Sequence, residues 1–204
     1  MAGSSSGAPW VIVGGAVFGA AMLMGAIVLT VASLAGTGGG GTGAIVDASG
    51  CSSSIGTADE VQKVVEKELA KGKEPPPVLI PAYNAASSKY KLGPKGPSIL
   101  ASINKIETGF GTNRGFSSAG AQGWMQFMPP TWDAYGVDAD KDGKKDIQDP
   151  DDAIFAAARY LAASGAPKDW YSAVFAYNHA DWYVDDVLTG AQKFDLPPAE
   201  GCTT

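Results

Sequence analysis

The sequence of 204 residues has almost no charge in its first 56 positions and very few residues that build metal or redox centres. Asp47 is the only charged residue among positions 1–56, and His179 is the only histidine of the chain. One histidine cannot supply a histidine-based metal cluster. The formal net charge of −6 gives the chain no general electrostatic attraction for nucleic acid. A histidine-ligated metalloenzyme and a nucleic-acid-binding protein are therefore excluded.

The uncharged front of the chain predicts a membrane anchor. Residues 10–35 carry no charge and are rich in Val, Ile, Leu, Ala and Gly, so they exceed the roughly 20 residues that cross a bilayer as a helix. The alternative is a cleaved signal peptide. An apolar run longer than about 7–15 residues, together with the absence of Lys and Arg from residues 1–9, favours a retained single-pass helix.

A linker and two cysteines follow the predicted anchor. Residues 36–56 are mostly small and polar, with a run of glycines, which is typical of a linker. Cys51 and Cys202 are the only cysteines, and they flank the polar part of the chain. This placement favours an intramolecular disulfide in an oxidising compartment. Two unpaired thiols and a lipidated Cys51 are the alternatives.

The rest of the chain predicts an all-α fold. The alternation of apolar and polar residues that is typical of strands does not occur convincingly, whereas apolar residues recur at helical spacing between proline and glycine breaks. Helices are expected near 57–72, 80–90, 97–109, 130–135, 150–164, 169–177 and 181–188. Asp149 is the expected N-cap of the fifth helix, and Gly190 is expected to stop the last one.

Glu107 is the first candidate for chemistry. It follows Ile103 by one helical turn and lies at the edge of an apolar face, while Gly109 and Gly111 end the helix directly afterwards. A carboxyl group half within a core should have a raised pKa, as a general acid requires. Taken alone, an ordinary glutamate in the last turn of a helix is the simpler interpretation.

Three motifs in order give this glutamate a context. Residues 107–110 read ETGF, residues 117–129 read SSAGAQGWMQFMP, and residues 176–178 read AYN. They resemble the motifs of the lytic transglycosylases of the lysozyme superfamily. The continuation of AYN with HADW and an aspartate-rich loop look closer to the membrane-bound lytic murein transglycosylase branch. The resemblance implies a lysozyme-like helical domain at 78–190, after a helix and proline-rich connector at 57–77 and before a C-terminal tail at 191–204.

The resemblance also implies roles for five residues. Glu107 would be the single catalytic acid and base. Ser117 and Gln126 would hydrogen-bond sugar substituents near the scissile bond. Tyr177 and Asn178 would line the cleft opposite Glu107, although side-chain packing and a helix-end hydrogen bond would also account for this pair.

The implied reaction is cleavage of the MurNAc–GlcNAc β-1,4 bond of peptidoglycan with formation of a 1,6-anhydro-MurNAc end. It needs no catalytic cofactor and only one carboxyl group, because the C6 hydroxyl of the substrate replaces water. The alternatives are a lysozyme-like hydrolase and a non-catalytic wall-binding component of a secretion, conjugation or phage apparatus. Peptidoglycan lies outside the cytoplasm, so the expected location is the cell membrane with an extracytoplasmic C-terminal domain.

An aspartate-rich loop predicts a structural calcium site. Oxygen-bearing residues at loop positions 1, 3, 5, 9 and 12 with glycine at position 6 match an EF-hand-like pattern. The expected ligands are Asp138, Asp140, Asp142, Lys144 through its backbone carbonyl, Asp146 and Asp149. A solvated acidic loop without an ion is the alternative.

Overall fold

The computed structural model describes residues 54–197, and regular structure in this range is helical. The helices are α1 (Ala58–Leu69), α2 (Ile80–Lys89), α3 (Gly96–Thr108), α4 (Pro129–Tyr135), α5 (Pro150–Ala163), α6 (Trp170–Tyr177) and α7 (Asp181–Phe194), with a 3₁₀ turn at Pro77–Leu79. An isolated antiparallel bridge joins Gln122 and Phe127. The predicted all-α class is confirmed for this part of the chain.

The membrane anchor and the disulfide fall in other parts of the sequence. Residues 10–35, Cys51 and Cys202 lie outside the described residues, so these expectations stay predictions. Within residues 54–197, no helix has both the length and the apolar character needed to cross a bilayer.

Helix α3 is the centre of the core. It packs against α7, α2 and α5, and its residues Ile99, Leu100 and Ile103 are fully buried. Val61 and Val65 of α1 are buried in the same core, which therefore includes the helix that precedes the proline-rich connector. Packing on several sides fixes the axis of α3, and with it the position of Glu107 in the last turn.

Local sequence signals determine where several helices begin. Asp149 has an extended backbone, and its side chain accepts hydrogen bonds from the backbone N–H groups of Asp151 and Asp152 at the start of α5. Glu60 reaches back to the backbone N–H of Thr57, at 3.3 Å, to complete the capping box of α1. Both predicted N-termini are confirmed.

The prediction that Gly190 stops the last helix is wrong. Helix α7 continues through Gly190 to Phe194, and the buried Ala191 extends its packed face. A Cβ atom at Gly190 would lie 2.3 Å from Oγ of the buried Ser102 in α3. Glycine at this position therefore allows α7 to approach α3 closely, and its function in the fold is packing instead of helix termination.

The chain after α3 turns back over the end of that helix. Gly109 adopts the left-handed conformation as the C-cap, and a Cβ at Gly111, which has φ of 83°, would lie 2.2 Å from the ring of Trp124. The buried side chains of Asn104 and Thr108 stabilise this turn. The amide Nδ2 of Asn104 and the hydroxyl of Thr108 each donate to the backbone carbonyl of Trp124 at 2.8 Å. The turn thus places the segment around Trp124 beside Glu107.

Candidate active site

A cavity of about 350 Å³ opens at the C-terminal end of α3. All five residues that the sequence predicts for the active site line it, namely Glu107, Ser117, Gln126, Tyr177 and Asn178. They come from the end of α3, the glycine-rich segment that follows it and the end of α6. The structure therefore brings together side chains up to 71 positions apart in the sequence (178 minus 107). Their roles toward a substrate stay predictions.

Glu107 is partly buried and is held by a side chain that sequence reasoning did not identify. The hydroxyl group of Tyr183, in the first turn of α7, donates to Oε1 of Glu107 at 2.6 Å. Tyr183 is fully buried. A buried phenol needs a hydrogen-bond partner, and the carboxyl group of Glu107 supplies it.

The environment of Glu107 favours its protonated form. Burial raises the pKa of Glu107 from the ordinary value of 4.5 to about 7, while the hydrogen bond from Tyr183 acts in the opposite direction. Removal from water destabilises the carboxylate more than the phenol stabilises it. The raised pKa predicted from the helical position of Glu107 is confirmed in direction, and it lies close to neutral pH, where a general acid is most effective.

Tyr177, which lines the cavity, packs within a cluster of aromatic rings. The rings of Tyr177 and Tyr183 are nearly parallel, with an interplanar angle of 6° and centroids 6.5 Å apart. The hydroxyl of Tyr177 donates to the backbone carbonyl of Met125 at 2.8 Å, and Phe127 also packs against the ring of Tyr177. Tyr177 therefore ties α6 to the returning segment and gives Tyr183 a fixed neighbour.

Ser117 and Gln126 are both engaged in shaping the loop that they line. The backbone N–H of Ala121 donates to Oγ of Ser117 at 3.0 Å. Gln126 has φ of 50°, and its Nε2 donates to the carbonyls of Gly115 and Gly123, each at 3.1 Å. The amide nitrogen of Gln126 thus holds the loop, a role that was not expected from the sequence.

The aspartate-rich loop folds around its own carboxylates. Oδ2 of Asp138 accepts from the backbone N–H of Gly143, which has φ of 90°, at 3.1 Å. Asp140 and Asp142 each accept from the backbone N–H two positions further on. Oδ1 of Asp138 is buried and has no protein hydrogen-bond partner. A buried carboxylate oxygen without a donor fits a site for a hard cation, which prefers oxygen ligands.

Three aspartate carboxylates lie close together at this loop, and the sequence pattern did not predict one of them. Oxygen atoms of Asp138, Asp140 and Asp152 all lie within 4.8 Å of one another. Asp152 is buried in the first turn of α5 and accepts from the backbone N–H groups of Ala139 and Asp146. Asp149, expected at loop position 12, caps α5 through Oδ1, and its role as a ligand stays a prediction. Asp152, three positions after Asp149, thus joins Asp138 and Asp140 in this cluster.

Comparison with known proteins assigns a family to this region. Residues 112–186 match the transglycosylase SLT domain family. Over these residues the chain is similar to the SLT transglycosylase domain. The matched range begins after Glu107 and includes Ser117, Gln126, Tyr177 and Asn178.

This chain is similar in sequence to a curated protein over a short stretch. Over 64 residues, which are 31% of this chain, it is 44% identical to membrane-bound lytic murein transglycosylase B of Escherichia coli (strain K12). The match covers 18% of that protein, so the chain spans less than a fifth of the relative's length. The predicted resemblance to the lytic transglycosylase family of enzymes is confirmed for this domain.

Solved structures share the helical fold of about two thirds of this chain. The lytic transglycosylase Slt35 of Escherichia coli, in complex with calcium, aligns with a TM-score of 0.50 at 18% identity, covering 68% of this chain and 75% of that one. SltB3 of Pseudomonas aeruginosa, in complex with NAG-anhNAM-pentapeptide, aligns with a TM-score of 0.52 at 17% identity, covering 72% and 66%. The predicted lysozyme-like helical fold is confirmed.

Proposed function

We propose that this protein is a peptidoglycan lytic transglycosylase that cleaves the MurNAc–GlcNAc β-1,4 bond and leaves a 1,6-anhydro-MurNAc end. The observation that carries the proposal is a cavity with a single carboxyl group. Among the described residues that line the cavity, Glu107 is the only acid. Ordinary glycoside hydrolases use two carboxyl groups across the scissile bond. A single acid suits a reaction in which the substrate supplies its own nucleophile.

In the first step, Glu107 acts as the general acid. With a pKa of about 7, the carboxyl group is substantially protonated at neutral pH. Because Oε1 accepts from Tyr183, Oε2 remains to carry the transferred proton to the glycosidic oxygen. The C1–O bond then breaks, and the oxygen leaves as the hydroxyl group of the neighbouring sugar.

In the second step, the same group acts as the base. The carboxylate of Glu107 takes the proton of the C6 hydroxyl of MurNAc while that oxygen bonds to C1, which regenerates the acid. The phenol of Tyr183 stabilises the carboxylate that exists between the two steps. Ser117 and Asn178 line the same cavity and are the proposed hydrogen-bonding partners of the sugar substituents.

The products distinguish this function from its alternatives. Isolated sacculi would be digested with the full-length protein in detergent, and the released fragments would be weighed by mass spectrometry. An anhydro end is lighter by one water than a hydrolysed reducing end, so anhydro-muropeptides are the expected products. Products with hydrolysed ends would identify a lysozyme-like hydrolase. Binding to sacculi without release of fragments would identify a wall-binding component.

The proposed location is the extracytoplasmic face of the cell membrane. The uncharged stretch at 10–35 supports an anchor, and the linker that follows would let the domain reach the wall. The curated relative is named as membrane-bound. Attachment to a secretion, conjugation or phage apparatus would bring the enzyme to a local opening in the wall.

A structural calcium ion is part of the proposal. Asp138, Asp140 and Asp152 would hold it, with Asp142 and the carbonyl of Lys144 nearby in the loop. The ion would neutralise a cluster of like charges and fix the loop against α5. Catalysis by Glu107 does not involve it.

Calcium should therefore raise the melting temperature of the protein. Calcium at about 100 times its dissociation constant stabilises the folded state by about 2.7 kcal/mol. For a protein of this size, that corresponds to an increase of about 5–10 °C. Thermal unfolding with calcium and with a chelator would measure the difference.

Asp140→Asn should remove the increase, because asparagine keeps an oxygen for the backbone N–H of Asp142 but lacks the charge. Asp133→Asn is the control, since Asp133 is exposed and lies outside the loop. An equal increase in the Asp140→Asn variant would contradict the calcium site.

A further inference from the structure

Phe116 is a large apolar side chain that the fold leaves in water beside Glu107. Its exposed fraction is 75%, the highest of the four large exposed hydrophobic residues among those described. The other three are Val64, Tyr171 and Trp182, with exposed fractions of 39%, 49% and 51%. Only Phe116 lines the cavity that contains Glu107.

The backbone around Phe116 is held by hydrogen bonds on both sides. On one side, the carbonyl of Gly115 accepts from Nε2 of Gln126 at 3.1 Å. On the other side, the backbone N–H of Ser117 donates to the carbonyl of Ala121 at 2.8 Å, and the carbonyl of Ser117 accepts from Gly120 at 3.0 Å. Phe116 thus lies between two anchored residues.

An exposed and anchored aromatic ring at a cavity mouth is prepared for contact with a ligand. Burying such a ring removes a large apolar area from water, and the anchored backbone reduces the conformational entropy lost on binding. The rest of the cavity presents polar side chains, among them Asn113, Ser118 and Asn178, next to apolar surface. A ligand that fits must therefore combine many hydroxyl or amide groups with one flat apolar face.

We propose that Phe116 is a stacking platform for a pyranose ring of the glycan strand at the mouth of the cavity, and so a residue that determines affinity for the strand. A pyranose ring has this combination, because its axial C–H groups form an apolar face and its substituents are polar. The inference rests on the proposed function, since it assumes that the cavity holds a glycan. Phe116 acts in binding and takes no part in proton transfer.

The test measures binding without requiring turnover. In a Glu107→Gln background, which leaves the ligand intact, titration calorimetry would follow a stem-free MurNAc–GlcNAc tetrasaccharide. Phe116→Ala should weaken binding about tenfold. Phe116→Trp should restore it, whereas Phe116→Leu, which keeps the apolar character without the flat ring, should not. Val64→Ala, a truncation at an exposed apolar residue of α1 outside the cavity, should leave binding unchanged.

Kinetics with wild-type Glu107 provide the second measurement. For Phe116→Ala, the loss in kcat/KM on stem-free strands should come from KM. Equal tetrasaccharide binding by Phe116→Ala and its parent would overturn the platform, as would full rescue by Phe116→Leu. A defect confined to strands that carry peptide stems would also overturn it. The protein could bind the tetrasaccharide, lose affinity in Phe116→Ala and still release no product from sacculi. That result would contradict the proposed lytic activity and support the role of Phe116 in binding.

Discussion

Replacement of Glu107 by glutamine is expected to lower the rate of glycan cleavage by at least about 10²–10⁴-fold. Glutamine keeps the size of the side chain and an oxygen that can accept from Tyr183, but it can neither donate nor receive the transferred proton. The loss should be larger than for an ordinary general acid, because one group serves both steps. Release of anhydro-muropeptides from sacculi would measure the rate.

The fold of the Glu107→Gln variant should be at least as stable as that of the parent. Because the folded-state pKa of Glu107 is raised to about 7, folding favours the protonated form. Stability from this group is fully present below pH 4.5 and is lost as the pH rises through 7. Above pH 7, the buried carboxylate should cost up to about 3 kcal/mol, which glutamine removes.

The pH dependence of activity follows from the same raised pKa. The acid form needed for the first step is lost as the pH rises through about 7, so activity of the parent should decline on the alkaline side of that value.

Glu66→Gln is the matched control for Glu107→Gln, because Glu66 is an exposed helical glutamate whose contact with Gln62 needs only an oxygen. A Glu107→Gln variant that cleaves at near the parental rate would refute the assignment.

Tyr183→Phe should reduce the rate by about 10–100-fold and move the alkaline limb of the pH profile to higher pH. Loss of the hydroxyl removes a hydrogen bond to a charged group, which contributes about 1.5–3 kcal/mol. Without this donor the carboxylate is less stable, so the pKa of Glu107 rises further. The ring remains and keeps its contacts with Tyr177 and Trp182.

The shift of the alkaline limb of the pH–rate profile distinguishes two possible roles of Tyr183. One is to position Glu107, and the other is only to pack in the core. Tyr160→Phe is the control, since its hydroxyl donates to the carbonyl of Ala176 at 2.7 Å within the same aromatic group but does not contact Glu107. It should cost stability without moving the limb. If Tyr183→Phe lost stability and activity with the limb unchanged, Tyr183 would be a packing residue only.

Features that depend on neighbouring residues could be predicted from the sequence. The N-cap of α5 needs only Asp149 and the two N–H groups that follow it, and the position of Glu107 at the edge of an apolar helical face gave the direction of its pKa shift. Ser117 and Tyr177 line one cavity, as the resemblance to a known family predicted. Their spacing in the sequence does not by itself predict that they lie close together.

Features that depend on contacts between distant segments could not be predicted. Tyr183 lies 76 positions from Glu107 and has the pattern of an ordinary buried face of α7. Gly190 has the sequence pattern of a helix C-terminus. Only its contact with the side chain of Ser102 shows that glycine is needed there for helix packing. The loop pattern ends at Asp149 and does not include Asp152, whose carboxylate α5 brings into the cluster with Asp138 and Asp140.

The close approach of α7 to α3 has a consequence for how the pKa of Glu107, and with it the pH dependence of the proposed activity, can change. The two helices touch at Gly190 and Ser102, and the same pair of helices carries Tyr183 and Glu107. The helix spacing therefore sets the length of the hydrogen bond that lowers the proton affinity of the acid. A bulkier residue at Gly190 would separate the helices and weaken that bond from a distance. Variants adapted to alkaline surroundings can thus arise in the α3–α7 interface, with every residue that lines the cavity unchanged.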